Sequence, residues 1–112
     1  MHTQVTLQQI KTMFSQIATN AGWDMNSDKL WSYFFYDEDK SKLETFSSNL
    51  KKRGYNISEI TSMDDGRYKL TVKRKEVHNP TSLLKRHKEL IKIANENNVD
   101  HYDGFDVGPG NS

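Results

Sequence analysis

The sequence predicts an α+β fold: a four-stranded antiparallel sheet with two helices on one face, preceded by one extra N-terminal helix. Three observations carry this expectation. Residues 67–75, RYKLTVKRK, alternate between apolar and basic positions, the period-2 pattern of a strand with one buried and one wet face. Residues 79–96 place apolar side chains at helical spacing behind Asn79 and Pro80, a strong helix start. After the first helix the segments run strand, helix, strand, strand, helix, strand. Two such halves close most simply as one antiparallel sheet.

The elements follow in order. Thr6 and Gln9 stand at capping-box spacing, and Leu7, Ile10, Phe14, Ile17 and Ala21 make a helical stripe flanked by Met13 and Ala18. The spacing predicts a helix over 6–21, ended by Gly22. Its apolar stripe has three places to go: the outer face of the sheet, the helical layer, or a second subunit. The sequence leaves the three open, and with them the oligomeric state.

Residues 30–36, LWSYFFY, are apolar or aromatic except for Ser32. The run is short and rich in strand formers, which predicts a central strand. Either Trp31, Tyr33 and Phe35 or Phe34 and Tyr36 then face the outside. Asp37, Glu38 and Asp39 end the strand and suit the first turn of a second helix. That helix has Leu43, Phe46 and Leu50 as its stripe, and Lys51, Lys52 and Arg53 precede the stop at Gly54. Residues 55–63 are polar-dotted and read as an edge strand, and Asp64-Asp65-Gly66 is a hairpin signal. The third helix carries Leu83, Leu84, His87, Leu90, Ile91 and Ala94 on one face, and VDHYDGFDVG at 99–108 reads as a short closing strand. With right-handed crossovers this is the ferredoxin-like arrangement. Residues 1–28 form the helix and its connector, residues 29–112 the ferredoxin-like part, and the two together one structural unit.

A chain of 112 residues with 34% hydrophobic, 28% charged and 11% aromatic side chains suits one domain with a modest core. It contains no Cys, which excludes disulfides, thiolate catalysis and cysteine-based zinc sites. No apolar run approaches the roughly 20 residues of a membrane span. MHTQVTLQQIKTMF lacks a basic segment followed by an apolar stretch, so no signal peptide is expected and the cytoplasm is the expected compartment. The net charge of +1 is unevenly spread. Residues 67–92 hold nine Lys or Arg against Glu76 and Glu89, while residues 93–112 hold Glu96, Asp100, Asp103 and Asp106 and no Lys or Arg. Such asymmetry suits an acidic partner for the basic part, and equally two solvated faces.

No catalytic constellation emerges, and no cofactor is expected. His101, Asp103 and Asp106 offer one imidazole and two carboxylates to a divalent ion, but their spacing does not fit an EF-hand. In a regular strand residue 106 leaves the face that 101 and 103 share. The competing reading is a packing strand in which Tyr102 and Phe105 point inward and Gly104 permits a bulge. His87 lies on an apolar helix face and reads as a hydrogen-bonded core histidine. Asp37, Glu38 and Asp39 fit a helix start better than an acid–base pair. Nucleic-acid binding has more support. An open antiparallel sheet with aromatic rings stacks bases in RNA-recognition modules, and Arg67, Lys69, Lys73 and Lys75 would meet phosphates. The third strand lacks the Gly-aromatic step of those modules, so weak, salt-sensitive contact is the expectation.

The segment YDGFDVGP at 102–109 resembles the Tyr-Asp-Gly-aromatic signature that closes the ribonuclease E inhibitor family, also called regulator of ribonuclease activity B. WSYFFYDED at 31–39 is similar to that family's opening strand, LKKRGY at 50–55 to its first-helix exit, and LTVKRKEVHNP at 70–80 to its third strand and the turn into its second helix. The resemblance covers about residues 29–109. It implies a ferredoxin-like fold and a cytoplasmic, non-catalytic protein that restrains an endoribonuclease by binding it, mainly outside the catalytic part. It also implies that Tyr102, Asp103, Gly104 and Phe105 anchor the final strand. A protein partner would then meet the sheet edge or the carboxylates of Asp37, Glu38, Asp39, Asp103 and Asp106. The family's regulators look strongly acidic, whereas this chain is near neutral with a basic stripe and shows only Gly-Asn-Ser after Pro109. An RNA-binding module built on the open sheet face is the alternative function.

Overall fold

Thr6 opens α1 (Leu7–Asn20) through a complete capping box: its hydroxyl accepts from the Gln9 N–H, and its own N–H donates to the Gln9 side chain. The computed structural model describes residues 5–55 and 57–109; His2 and the Gly-Asn-Ser ending lie outside them. Behind α1 come β1 (Lys29–Asp37), α2 (Lys40–Lys51), β2 (Ile57–Ser62), β3 (Tyr68–Glu76), α3 (Pro80–Glu96) and β4 (His101–Pro109). The four strands form one antiparallel sheet in the order β2-β3-β1-β4. This is the expected α+β, ferredoxin-like architecture.

Register decides which face of β1 is inside. Tyr33 lies opposite Val72, and Phe35 opposite Leu70, so the two β1 aromatics share a face with the apolar side of β3. Trp31, Tyr33, Phe35, Leu70 and Val72 are fully buried there under Leu43, Phe46 and Leu50 of α2 and Leu83, Leu90, Ile93 and Ala94 of α3. Phe46 meets Phe35 edge-on at 4.8 Å between ring centroids, and His87 meets Tyr102 at 5.1 Å. Phe35 and Tyr102 are cross-strand partners, so both helices cover the same side. Burying so large an aromatic layer is the main stabilising contribution.

Of the three places open to α1, the chain takes the helical layer. α1 packs on α3, with Ile10 and Phe14 buried and the Phe14 ring stacked on Trp31 at 5.9 Å. This second neighbour widens the buried face of α3: Ile93 is fully buried in addition to the expected stripe, while Leu84 and Ile91 are partly so. The outer face of the sheet is left uncovered by α1.

Candidate partner-binding surface

The two aromatic rings of the closing signature are packed, not presented. Tyr102 is fully buried, and its ring lies on Phe35 at 4.9 Å with 28° between planes. Its hydroxyl stands 3.3 Å from His87 Nδ1, and burial pushes the phenol far above its ordinary pKa, keeping it protonated. Phe105 is half-buried and edge-on to Trp31 at 6.4 Å and to His87 at 5.7 Å. Between them β4 bulges: its pairing with β1 slips between Phe34 and Phe35, and Gly104 takes φ +103°, a conformation that L side chains rarely adopt.

The bulge corrects one expectation about the carboxylates. Tyr36 pairs with His101 and Ser32 with Asp106, so Asp106 shares the outer face with His101, because the extra residue at 103 restores the parity. Along β1 those two pairing positions lie four residues apart, about 13 Å. His101 Nε2 contacts Asp103 Oδ1 at 3.2 Å, yet among the described residues no three His, Asp or Glu side chains converge on one point.

Asp37 corrects another. The sequence puts it among carboxylates facing a partner, but its side chain is 2% exposed and consumed locally. It accepts from the Asp39 N–H at 2.8 Å and the Asp100 N–H at 3.0 Å, and pairs with Lys42 at 3.2 Å. Lys42 also donates to the Asn98 carbonyl at 3.0 Å; its bond to Asp37 holds the ammonium above its ordinary pKa. Asp39 caps α2, accepting from the Lys42 N–H at 3.2 Å and from the Ser41 hydroxyl at 2.7 Å. These bonds hold its carboxyl below the ordinary range. The knot ties two acidic stretches, distant in sequence, to one end of the sheet. Glu38, Asp39, Asp100 and Asp103 are all exposed there, beside the start of the edge strand β4. Asp106 is exposed farther along that strand.

A second cluster, not evident from the sequence, surrounds Glu76. Glu76 Oε2 accepts from Arg86 at 2.7 Å and from the Tyr33 hydroxyl at 3.1 Å, with His78 Nε2 at 3.2 Å. Arg74 approaches Oε1 at 3.5 Å. Burial alone would raise the Glu76 carboxyl, but the His78 bond and the Arg86 charge outweigh it and hold it below its ordinary value. The available signal was the alternation of Glu76 and His78 at the strand end, with Arg86 interrupting an apolar helix stripe. The cluster pins the end of β3 to α3, and its acceptors are spent internally.

The outer face carries the basic stripe. Phe34 lies opposite Thr71, Tyr36 opposite Lys69, Ser32 opposite Lys73 and Leu30 opposite Lys75. Lys69 Nζ stands 4.6 Å from the Phe34 ring centroid and Arg67 Cζ 4.7 Å from that of Tyr36. Phe34 and Tyr36 are thus the outward rings, while Trp31, Tyr33 and Phe35 are withdrawn from any ligand. A groove of about 370 Å³ between α2 and β2, lined by Lys40, Glu44, Lys51 and Glu59 among others, mixes both signs of charge.

Among known proteins, the family model described as regulator of ribonuclease activity B matches residues 7–107. The match takes in α1, which the motif resemblance, beginning at residue 29, leaves out. None of the curated proteins and none of the solved structures compared matches the chain. Among the described residues no helix is long and apolar enough to cross a membrane.

Proposed function

The chain belongs to the regulator of ribonuclease activity B family, and from that premise we propose that it is a non-catalytic regulator of an E-type endoribonuclease, working in the cytoplasm by protein contact. One observation supports this mode above others: the Asp37 knot gathers Glu38, Asp39, Asp100 and Asp103 at the start of β4. β4 is an edge strand, bonded within the sheet to β1 on one side. Its outward main-chain groups are a template for an extended segment. Carboxylates beside that template favour a basic segment, speeding encounter and fixing register. Such a contact restrains the nuclease from outside its catalytic part, and the chain itself makes and breaks no bond in the RNA.

The test uses the purified full chain and a purified E-type endoribonuclease. RNA cleavage is followed at rising concentrations of the chain, with binding measured at two salt concentrations. Saturable slowing of cleavage is expected. Combining Glu38→Lys with Asp103→Lys should weaken the complex several-fold and leave the melting temperature nearly unchanged, since both side chains are exposed. An unaltered cleavage rate at low salt, with no complex, defeats the proposal.

A further inference from the structure

Apart from Asp103 at its β4 rim, the outer face of the sheet is not used by the contact proposed above, and its chemistry is different. We infer that it binds single-stranded RNA, with phosphates along β3 and bases over β1 and the glycines of β4. The inference stands on this face alone and does not depend on a nuclease partner.

Four observations carry it. First, the cations form a line. Arg67, Lys69, Lys73 and Lys75 precede or lie in β3, and the register puts the three lysines on the outer face opposite Tyr36, Ser32 and Leu30. Among the described residues Lys69, Lys73 and Lys75 make no ion pair, while Arg67 shares an exposed one with Asp65 at 2.8 Å, a contact worth little in water. A row of ammonium groups that no carboxylate neutralises, Lys69 resting only on the Phe34 ring, is costly to hold together and is relieved by a polyanion.

Second, two rings project between those cations. Phe34 and Tyr36 are two residues apart on one strand, roughly 7 Å, and both are half-buried. Every base has a π-face, so such rings accept bases without regard to sequence. The cations now beside them at 4.6 and 4.7 Å are long and flexible enough to turn to phosphates.

Third, the β4 side of the face is recessed. Phe34 lies across from Gly104 and Leu30 across from Gly108. Gly104 is itself buried, yet a Cβ built on it meets nothing within 4 Å, so no side chain of β4 stands against the Phe34 ring from across the strand pair.

Fourth, charge polarises the face. Lysines line β3, with one exposed carboxylate, Glu59, opposite Thr71 on the β2 side, whereas Asp103 and Asp106 are exposed on β4. Phosphates are drawn to the β3 side and repelled from the other, which leaves the bases over the rings and glycines. An acidic protein segment would meet the lysines equally well, but it has no use for two stacking rings flanked by glycines.

The test is fluorescence anisotropy of the full chain with a labelled single-stranded RNA of about 12 nucleotides, at ~50 and ~200 mM salt. Binding at low salt is expected, with log K falling against log salt at a slope of about −2 to −3 for three or four phosphate contacts. Lys73→Gln combined with Lys75→Gln should weaken binding and flatten that slope by about 1.4. Phe34→Ala should weaken it about fivefold or more with the slope unchanged. The same sequence as a duplex should bind far less. Glu38→Lys with Asp103→Lys, which weakens the nuclease contact, should not weaken RNA binding. Absence of binding at low salt, equal affinity for duplex, or indifference to both sets of outer-face variants overturns the inference. So does loss of nuclease regulation in those variants without any RNA binding, which would make the face a protein interface. Thermal melts of each variant confirm that the fold is intact.

Discussion

Tyr102 and Phe35 stand opposite each other on neighbouring strands, ring on ring at 4.9 Å, sealed beneath both helices of the sheet. The first residue of the closing signature is therefore a core residue. Tyr102→Ala should cost about 3–5 kcal/mol, as for other large aromatic truncations in cores. Tyr102→Phe, which removes only the hydroxyl beside His87, should cost about 0.5–1.5 kcal/mol. Urea unfolding of the two variants measures the difference; equal small losses would mean that the ring is not packed as described.

Neighbouring aromatics on β1 should behave as opposites. Phe35 is fully buried, whereas Phe34 is half-buried on the outer face. Phe35→Ala should lose about 3–5 kcal/mol, and Phe34→Ala about 1 kcal/mol or less, the scale of a cross-strand contact. Comparing the two midpoints in urea checks the parity of the whole strand.

Removing the Asp37 carboxylate leaves the Asp39 and Asp100 amides and Lys42 without their shared acceptor. Asp37→Ala should destabilise by about 2–4 kcal/mol. It should also raise hydrogen exchange at the Asp100 amide, the bond that joins the β4 start to the end of β1. Exchange at Asp100 no faster than in the parent would contradict this account.

Glu76 makes stability depend on acid. Its carboxyl is held below its ordinary value of 4.5 in the folded chain, so the unfolded chain takes up the proton first. The stabilisation is present above about pH 4.5 and is lost as pH falls through the folded value. Unfolding free energies at pH 7 and pH 3.5 should differ less in Glu76→Gln than in the parent, although the variant is weaker at pH 7. An unchanged pH dependence would contradict the assignment.

Much of the fold was legible because the strongest signals were periodic. The alternation of residues 67–75 has only one good solution, and Thr6, Asn79 and Pro80 mark helix starts that the structure keeps. What could not be read was non-local. β1 is apolar on both sides, so its inner face is chosen by Leu70 and Val72 across the sheet. Three adjacent acidic residues look alike in sequence; Asp37 is singled out by an amide 63 residues away. Asp106 changed face because one residue, Asp103, is extra in the ladder. α1 chose the helical layer because Phe14 finds the Trp31 ring there.

We propose that this chain regulates a ribonuclease by surface contact and performs no chemistry of its own. The most direct measurement is RNA cleavage with the purified chain alone, with a purified E-type endoribonuclease alone, and with both together, alongside direct binding of the two proteins. The account predicts intact RNA with the chain alone, and slower cleavage through a saturable complex when both are present. RNA cut by the chain itself, or a nuclease that neither binds it nor changes its rate at low salt, would contradict the claim.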